Sequence, residues 1–251
     1  MELHIVIDSH YQDKLGAFIE NLPNIFNNEG EIVYNGRNTI KVFEANGISI
    51  NVKSFKKPHI INQFVYATFR KSKAKRSYLY AKRLQSLGIK TPSPIAYIEH
   101  RNFFNLKGSA YLSVNEKFDG LLQELKRGNI EEKRNLIVQF AQFTASIHEK
   151  EVLHLDYSPG NILYKKDGSN YIFYLVDLNR MTFDNPIDLD TACFNFRRLW
   201  GSDAMITLFV KEYAKARNFD EKECLDKTFY YRARFWKYFQ RKHPNESPYI
   251  G

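Results

Sequence analysis

The sequence predicts an α+β chain in two lobes, the first rich in sheet and the second helical. Three observations carry this expectation. Three β-rich runs joined by two Asn-Gly pairs fill the early part of the chain. Beyond Asp119 most apolar residues recur at helical spacing. Within that helical half lies an isolated strand pair, preceded by His154-Leu155-Asp156-Tyr157-Ser158-Pro159-Gly160-Asn161 and followed by Val176-Asp177-Leu178-Asn179-Arg180. The expected lobes are residues 1–118 and 119–251, with a hinge at Asp119-Gly120 and a nucleotide cleft between them.

The elements follow in order. Leu3 to Ile7 alternates as a strand does, and Gln12 to Leu22 has helical spacing closed by Pro23. Glu31 to Tyr34, Arg37 to Glu44 and Ile48 to Phe55 are strands, linked at Asn35-Gly36 and Asn46-Gly47, two dipeptides that strongly favour tight hairpins. Ile60 to Phe69 and Ala74 to Leu87 read as helices, the second stopped by Gly88. Thr91-Pro92-Ser93-Pro94 breaks the pattern before strands Ile95 to His100 and Ala110 to Asn115. Helices are then expected at Leu121 to Lys126, Ile130 to Lys150, Leu189 to Trp200, Ala204 to Arg217 and Glu221 to Lys242. Between them, Ile162 to Tyr164 and Tyr171 to Val176 form a hairpin around Asp167-Gly168.

Composition narrows the function. The chain of 251 residues can bury a sizeable core, and its net charge of +9 is unevenly spread. No Asp or Glu occurs between Glu44 and Glu99, whereas Lys53, Lys56, Lys57, Arg70, Lys71, Lys73, Lys75, Arg76, Lys82, Arg83 and Lys90 all fall there. Such a segment suits an anion: ATP, an anionic sugar or lipid headgroup, a membrane surface or nucleic acid, or it is simply a solvated basic face. Cys193 and Cys224 stand apart without a Cys/His cluster, which argues for core thiols in a reducing cytosol and against zinc. The first residues lack a basic and apolar leader, and no uncharged run is long enough to span a bilayer, so a soluble protein is expected.

The motif around Asp156 has a chemical logic. Transfer of a γ-phosphoryl group demands positioning, metal ions and a group that takes the proton of the attacking hydroxyl. Asp156 is the candidate for that proton. Asn161, returned to the same side by the Pro159-Gly160 turn, and Asp177, brought back by the hairpin, are candidate oxygen ligands for a hard cation such as Mg²⁺. Lys53 lies on the third strand, where a kinase fold carries its phosphate-binding lysine, and the Tyr34-Asn35-Gly36-Arg37-Asn38 turn could cover phosphates with its amides, Gly36 and Arg37 among them. With a single glycine that turn reads equally well as a plain hairpin. His154 is expected to brace the catalytic loop and Asp190 to anchor it from the following helix; Arg180 either meets substrate phosphate or pairs with a carboxylate. The reading is a bilobal protein-kinase-like fold using ATP and Mg²⁺.

The sequence resembles the Kdo/WaaP-type lipopolysaccharide kinases, a branch of the protein-kinase-like superfamily. The resemblance runs from the strand bearing Lys53, through Lys75-Arg76-Ser77-Tyr78 and Gly88-Ile89-Lys90-Thr91-Pro92-Ser93-Pro94, to the His154–Asn161 loop and Asp177-Leu178-Asn179-Arg180-Met181. It implies Asp156 as catalytic base, Asn161 and Asp177 as Mg²⁺ ligands and Lys53 as the ATP phosphate contact. It also implies a hydroxyl of an inner-core sugar, Kdo or heptose, as acceptor, and work at the cytoplasmic face of the inner membrane. Expected partners are thus ATP, lipopolysaccharide core or another anionic glycolipid, and an anionic membrane, with no nucleic acid.

One departure qualifies the resemblance. Kinases place a Glu on the helix after the phosphate-binding strand to hold the lysine, and here that position is Leu79 within an acid-free interval. Lys53 must therefore use Glu99, Glu116, Asp177 or the nucleotide, or the enzyme is slow or inactive. The alternatives are a small-molecule or protein kinase of the same fold, or a pseudokinase scaffold at the membrane. A protein kinase fits less well, since only about ten residues separate Asp177 from Leu189, too few for a long activation segment. The terminal run Phe229 to Lys242, alternating aromatics and cations, offers a second membrane-facing surface or else a helix packed on the second lobe.

Overall fold

A computed structural model describes residues 2–55, 71–102, 105–126 and 128–244. The expected helix from Ile60 to Phe69, together with Lys56, Lys57 and Arg70, lies outside them. The chain divides into two compact units, Met1–Lys117 and Phe118–Gly251.

The first unit is built on a six-stranded antiparallel sheet in the order β1-β5-β6-β4-β3-β2. The strands are β1 (Glu2–Ile7), β2 (Glu31–Asn35), β3 (Asn38–Ala45), β4 (Ile48–Phe55), β5 (Pro94–Asn102) and β6 (Asn105–Val114). Their alternation gives each face its own core. Helix α1 (Ser9–Ile25) presses Leu15, Ile19 and Leu22 on Phe43, Ile50, Val52, Ile98 and Leu112. Helix α2 (Lys73–Ser86) covers the opposite face, where Ala74 and Tyr78 meet Phe55 and Tyr97. Ser72 caps α2 by accepting from Lys75 N–H at 3.0 Å, and Gly88, with φ 73°, ends it.

The end of α1 differs from expectation, and the two Asn-Gly hairpins differ from each other. Helix α1 continues through Pro23, because a proline in the last turn removes only one backbone donor and Phe26 N–H still reaches the Leu22 carbonyl at 2.9 Å. Just past its end the buried Lys41 holds the chain, its Nζ donating to the Phe26 and Glu29 oxygens at 2.6 and 2.7 Å. Asn46 and Gly47 both have positive φ, as a type I′ turn requires. Asn35 and Gly36 do not; Gly36 N–H donates instead to Asn38 O at 3.0 Å, and the Tyr34 ring occupies the space a β-carbon on Gly36 would need.

The second unit is mainly helical: α3 (Ile130–Glu149), α4 (Leu189–Asn195), α5 (Asp203–Arg217) and α6 (Glu221–Lys242). Short strands complete it: β7 (Gly120–Leu121), β8 (Leu153–His154), β9 (Ile162–Asp167), β10 (Asn170–Leu175) and β11 (Met181–Thr182). Asp119-Gly120 is bonded to β9 of the same unit. Asp119 N–H donates to Tyr164 O at 3.0 Å, its carboxylate accepts from Lys166 N–H at 2.7 Å, and Gly120 pairs with β9 where only a glycine leaves room for the Tyr164 ring. The helix expected over Leu189 to Trp200 stops at Asn195, passes into a 3₁₀ turn at Phe196–Arg198 and ends at Leu199, which is extended at φ −65° and ψ 140°. Gly201, at φ 134°, adopts a backbone other residues avoid, so the chain turns there into α5.

Aromatic rings fill the core between α3 and α5. Phe140 stacks on Tyr157 and Phe209, and Phe196 meets Phe209 and Tyr213 edge-on with centroids 5.0 and 4.8 Å apart. His148 is buried among them, its Nδ1 2.8 Å from Tyr213 OH, and burial pulls its pKa from 6.5 to about 3. The sign of the consequence follows. Above pH 6.5 the ring is neutral folded or unfolded and its share of stability is complete; as pH falls below 6.5 only the unfolded chain takes the proton. Stability should therefore decline by about 1.4 kcal/mol per pH unit from this residue until the folded ring also titrates. Urea midpoints measured from pH 7 to pH 4 should show the decline, flattened in His148→Phe.

Candidate active site

The site begins with one hairpin. Strands β9 and β10 pair from Ile162↔Leu175 to Asp167↔Asn170, so the residues just outside them, Asn161 and Val176, are joined by Val176 N–H donating to Asn161 O at 3.0 Å. Asp177 follows immediately. Pairing of Met181 with His154 then lays the Asp177–Arg180 segment alongside the Asp156 loop, where Leu155 N–H reaches Arg180 O at 2.9 Å. The structure thus draws Asp156, Asn161 and Asp177 onto adjoining pieces of backbone.

Buried side chains hold these pieces from behind. Asp156 N–H donates to His154 Nδ1 at 3.1 Å, so Nδ1 is the unprotonated nitrogen and Nε2 carries the hydrogen given to Val176 O at 3.0 Å. His154 is fully buried and its pKa lies below the ordinary value, burial being the dominant cause and the hydrogen bond to Val176 opposing it. One neutral imidazole therefore ties the backbone of residue 156 to that of residue 176. Tyr157, 1% exposed, anchors the loop to α3 through Thr144 Oγ1 at 2.8 Å. Asn195 in α4 donates to His154 O at 3.0 Å.

Hydrogen bonds orient the two candidate metal ligands. Asn161 Nδ2 donates to Asp156 O at 2.9 Å, which commits the amide nitrogen and orients its oxygen. Asp177 has φ 56°, a left-handed conformation that Asp tolerates better than most residues, and its Oδ1 accepts from Asn179 Nδ2 at 2.8 Å. Among the described residues no group of three His, Cys, Asp or Glu side chains gathers that could hold an ion. One carboxylate and one carboxamide oxygen fit Mg²⁺, which keeps waters and takes its other ligands from substrate phosphates.

Asp156 does not stand alone. Arg198 of the 3₁₀ turn donates to its Oδ1, and Arg180 Nη1 lies 3.8 Å from Oδ2. The Asp156 side chain remains 22% exposed. The carboxylate is one of the two partners expected for Arg180, whereas Arg198 was not anticipated, its only signal in the sequence being an Arg-Arg pair at the end of an apolar helix.

The other expected residues are placed as follows. Lys53 lies on β4, half-buried, with Nζ 5.6 Å from the Phe55 ring centroid. Gly36 and Arg37 sit in the β2–β3 turn, Arg37 exposed. Glu99, one of the substitutes considered for the absent helix glutamate, is buried and its Oε2 is bonded to Arg101 at 2.9 and 3.0 Å. Asp190 does not reach the catalytic loop: its carboxylate accepts from Lys227 Nζ and Tyr231 OH, both at 2.9 Å, fastening α4 to α6. That leaves Asn195, one and a half helical turns further on, as the side chain from α4 that bonds the loop.

Comparison with known proteins assigns the family. A search of curated protein sequences yields no match. Among solved structures, the chain is similar to that described as "WaaP in complex with acyl carrier protein", with a TM-score of 0.60 at 15% identity, covering 97% of this chain and 100% of that one. At that identity the likeness shows a shared, kinase-like fold with a sheet-rich first part and a helical second part. The family model for the lipopolysaccharide kinase (Kdo/WaaP) family matches residues 33–200, a span containing Lys53, the whole His154–Asn161 loop, Asp177 and Arg198. The chain belongs to the lipopolysaccharide kinase (Kdo/WaaP) family.

Proposed function

We propose that this kinase transfers the γ-phosphoryl group of ATP to a hydroxyl of a lipopolysaccharide inner-core sugar, Kdo or heptose, with Asp156 accepting the hydroxyl proton. The observation that carries the reading is the backbone tie made by His154 between residues 156 and 176, which sets the candidate base and the candidate ligand Asp177 at a fixed separation. Mg²⁺, when bound, neutralises charge on the transferring phosphates. Asn161 and Asp177 are the residues to hold it. The acceptor oxygen bonds to the γ-phosphorus as the bond to the β-bridging oxygen breaks; the electron pair leaves with ADP and the proton passes to Asp156. Lys53 and the amides of Gly36 and Arg37 serve the nucleotide phosphates, as the family resemblance implies. Division of labour between a nucleotide-binding first lobe and a catalytic second lobe is part of the same proposal.

Attachment to the cytoplasmic face of an anionic membrane is also proposed. No helix among the described residues is long and apolar enough to cross a membrane. Helix α6, however, separates its aromatics: Trp236 is turned inward with Cys224, Thr228 and Arg232, while Tyr230, Arg234, Tyr238 and Lys242 form an outward ladder with Arg234 and Lys242 over the two tyrosine rings. Tyrosines interleaved with cations suit an interface of that kind. The acyl carrier protein seen with the WaaP structure is a second partner to test, by co-elution with this chain.

The deciding experiment supplies purified protein with Mg-ATP labelled at the γ-phosphate and offers Kdo-lipid A, core oligosaccharide and a generic protein substrate. Label in the glycolipid or oligosaccharide is expected. Label in protein alone would replace the proposed acceptor, and no transfer to any of them would favour a scaffold.

A further inference from the structure

Beside Asp156 the charges do not balance. Two guanidiniums, Arg180 and Arg198, converge on its single carboxylate, and the adjacent Arg197 is turned to a carbonyl, donating to Phe194 O at 2.6 Å and stacking on the Phe194 ring at 3.7 Å. The Arg180 side chain is 52% exposed and, among the described residues, has Asp156 as its one ionic partner, at a distance too long for a hydrogen bond. Five N–H donors on that planar group are thus mostly turned to solvent next to the candidate base.

Arg198 is held differently. The buried Arg232 of α6 donates to the carbonyl of the next residue, Leu199, and the Phe235 ring of the same helix lies 5.4 Å from the Arg198 guanidinium. Helix α6 therefore fixes the backbone and one flank of Arg198 while leaving its fork pointing to Asp156. The side chain itself is 30% exposed, open enough for a second oxyanion. In this arrangement Asp156 Oδ1 is occupied by an Arg198 donor. A hydroxyl that must deliver its proton to that oxygen needs the donor to move aside.

We propose that Arg180 and Arg198 form an acceptor subsite that binds an oxyanion on the sugar, a carboxylate or a phosphate, and that this anion draws Arg198 off Asp156 and so exposes the base. The inference rests on the kinase reading for its meaning but not for its test. Bidentate recognition of a carboxylate or phosphate is what a guanidinium fork does best, and two forks on one side of the base also select against neutral sugars. It assigns a reason for the paired state of Asp156: without an anionic acceptor the base stays covered.

The test measures binding first. Free Kdo and its methyl ester, then a heptose phosphate and plain heptose, are titrated into the protein holding Mg-ADP. Each charged ligand is expected to bind about 10- to 100-fold more tightly than its neutral counterpart, as charge-assisted hydrogen bonds require. Whichever charged ligand shows the larger ratio identifies the oxyanion as carboxylate or phosphate. Arg180→Ala should cut the ratio, and Arg180→Ala with Arg198→Ala should bring it near unity. The half-exposed Arg180 can be changed without disturbing the fold, so its variant stands even where the double variant fails to fold. Equal affinity for charged and neutral ligands, a ratio that survives Arg180→Ala and the double change, or a loss confined to Mg-ATP affinity would each overturn the inference. A retained ratio in wild type with no phosphoryl transfer would refute the kinase reading alone.

Discussion

Asp156→Asn is expected to lower turnover by roughly 10² to 10⁴-fold, the usual span for losing general-base assistance. The substitution is chosen because it changes little else. Asparagine has the same shape, its side-chain oxygen can still accept from Arg198, and the backbone bonds of residue 156 to His154 and Asn161 do not involve the carboxylate. What disappears is a group able to carry a proton away from the attacking hydroxyl. Loss of the negative charge should cost little stability, since all three charged partners are partly exposed and such pairs contribute about 0 to 1 kcal/mol. The measurement is single-turnover transfer of labelled phosphate at saturating acceptor, alongside Mg-ATP affinity and a thermal midpoint. Affinity and midpoint should hold while turnover collapses. Unchanged turnover would remove Asp156 from the mechanism, and a fall in all three quantities would make it a structural residue.

The same residue shows where sequence reasoning reached and where it stopped. Asp156, Asn161 and Asp177 were legible because their spacing is local: a tight loop and a short hairpin decide their relation, and turn chemistry at Pro159-Gly160 and Gly168 announces both. His154 was legible for the same reason. Arg198 and Asn195 were not, because their meeting with the loop depends on how α4 and α6 pack, and no periodicity in the chain encodes that. Position along the chain alone points to Asp190 as the anchor. An exposed first-turn carboxylate of a short helix is free to pair with whatever helix lies beside it, and Lys227 and Tyr231 of α6 supply three donor contacts.

Pro23 reads as a stop because proline breaks helices, yet the penalty shrinks in a last turn, and Lys41, from a strand distant in sequence, holds the chain just beyond it at the Phe26 and Glu29 carbonyls. Asn35-Gly36 closes the expected tight hairpin between β2 and β3, with a register shift between Ile32 and Tyr34 just before it. Asp119-Gly120 has the composition of a hinge, and the absence of a side chain on Gly120 also serves packing against Tyr164, a contact distant in sequence.

Asp177→Ala is expected to abolish the stabilisation that Mg-ATP should give to the protein. A ligand present at about 100 times its Kd stabilises the native state by about 2.7 kcal/mol. For a protein of this size each kcal/mol moves the midpoint by about 2 to 4 °C, so wild type should gain about 5 to 10 °C. The variant should gain almost nothing, since Asp177 is the one carboxylate in the proposed ligand pair and Asn161 contributes a neutral oxygen. Removing the side chain has a second effect that must be separated from the first. Residue 177 adopts a left-handed backbone, φ 56°, and its Oδ1 accepts from Asn179, so alanine also lowers intrinsic stability by about 1 kcal/mol. Asp177→Asn controls for this: asparagine tolerates the same backbone and can keep the bond to Asn179 while weakening cation binding. Both variants should lose the Mg-ATP shift, but only alanine should start from a lower midpoint, and chelating the metal should make wild type behave like Asp177→Asn. An undiminished shift in both variants would mean that the nucleotide is held without this carboxylate, and the hairpin that returns Asp177 to Asn161 would then serve the fold alone.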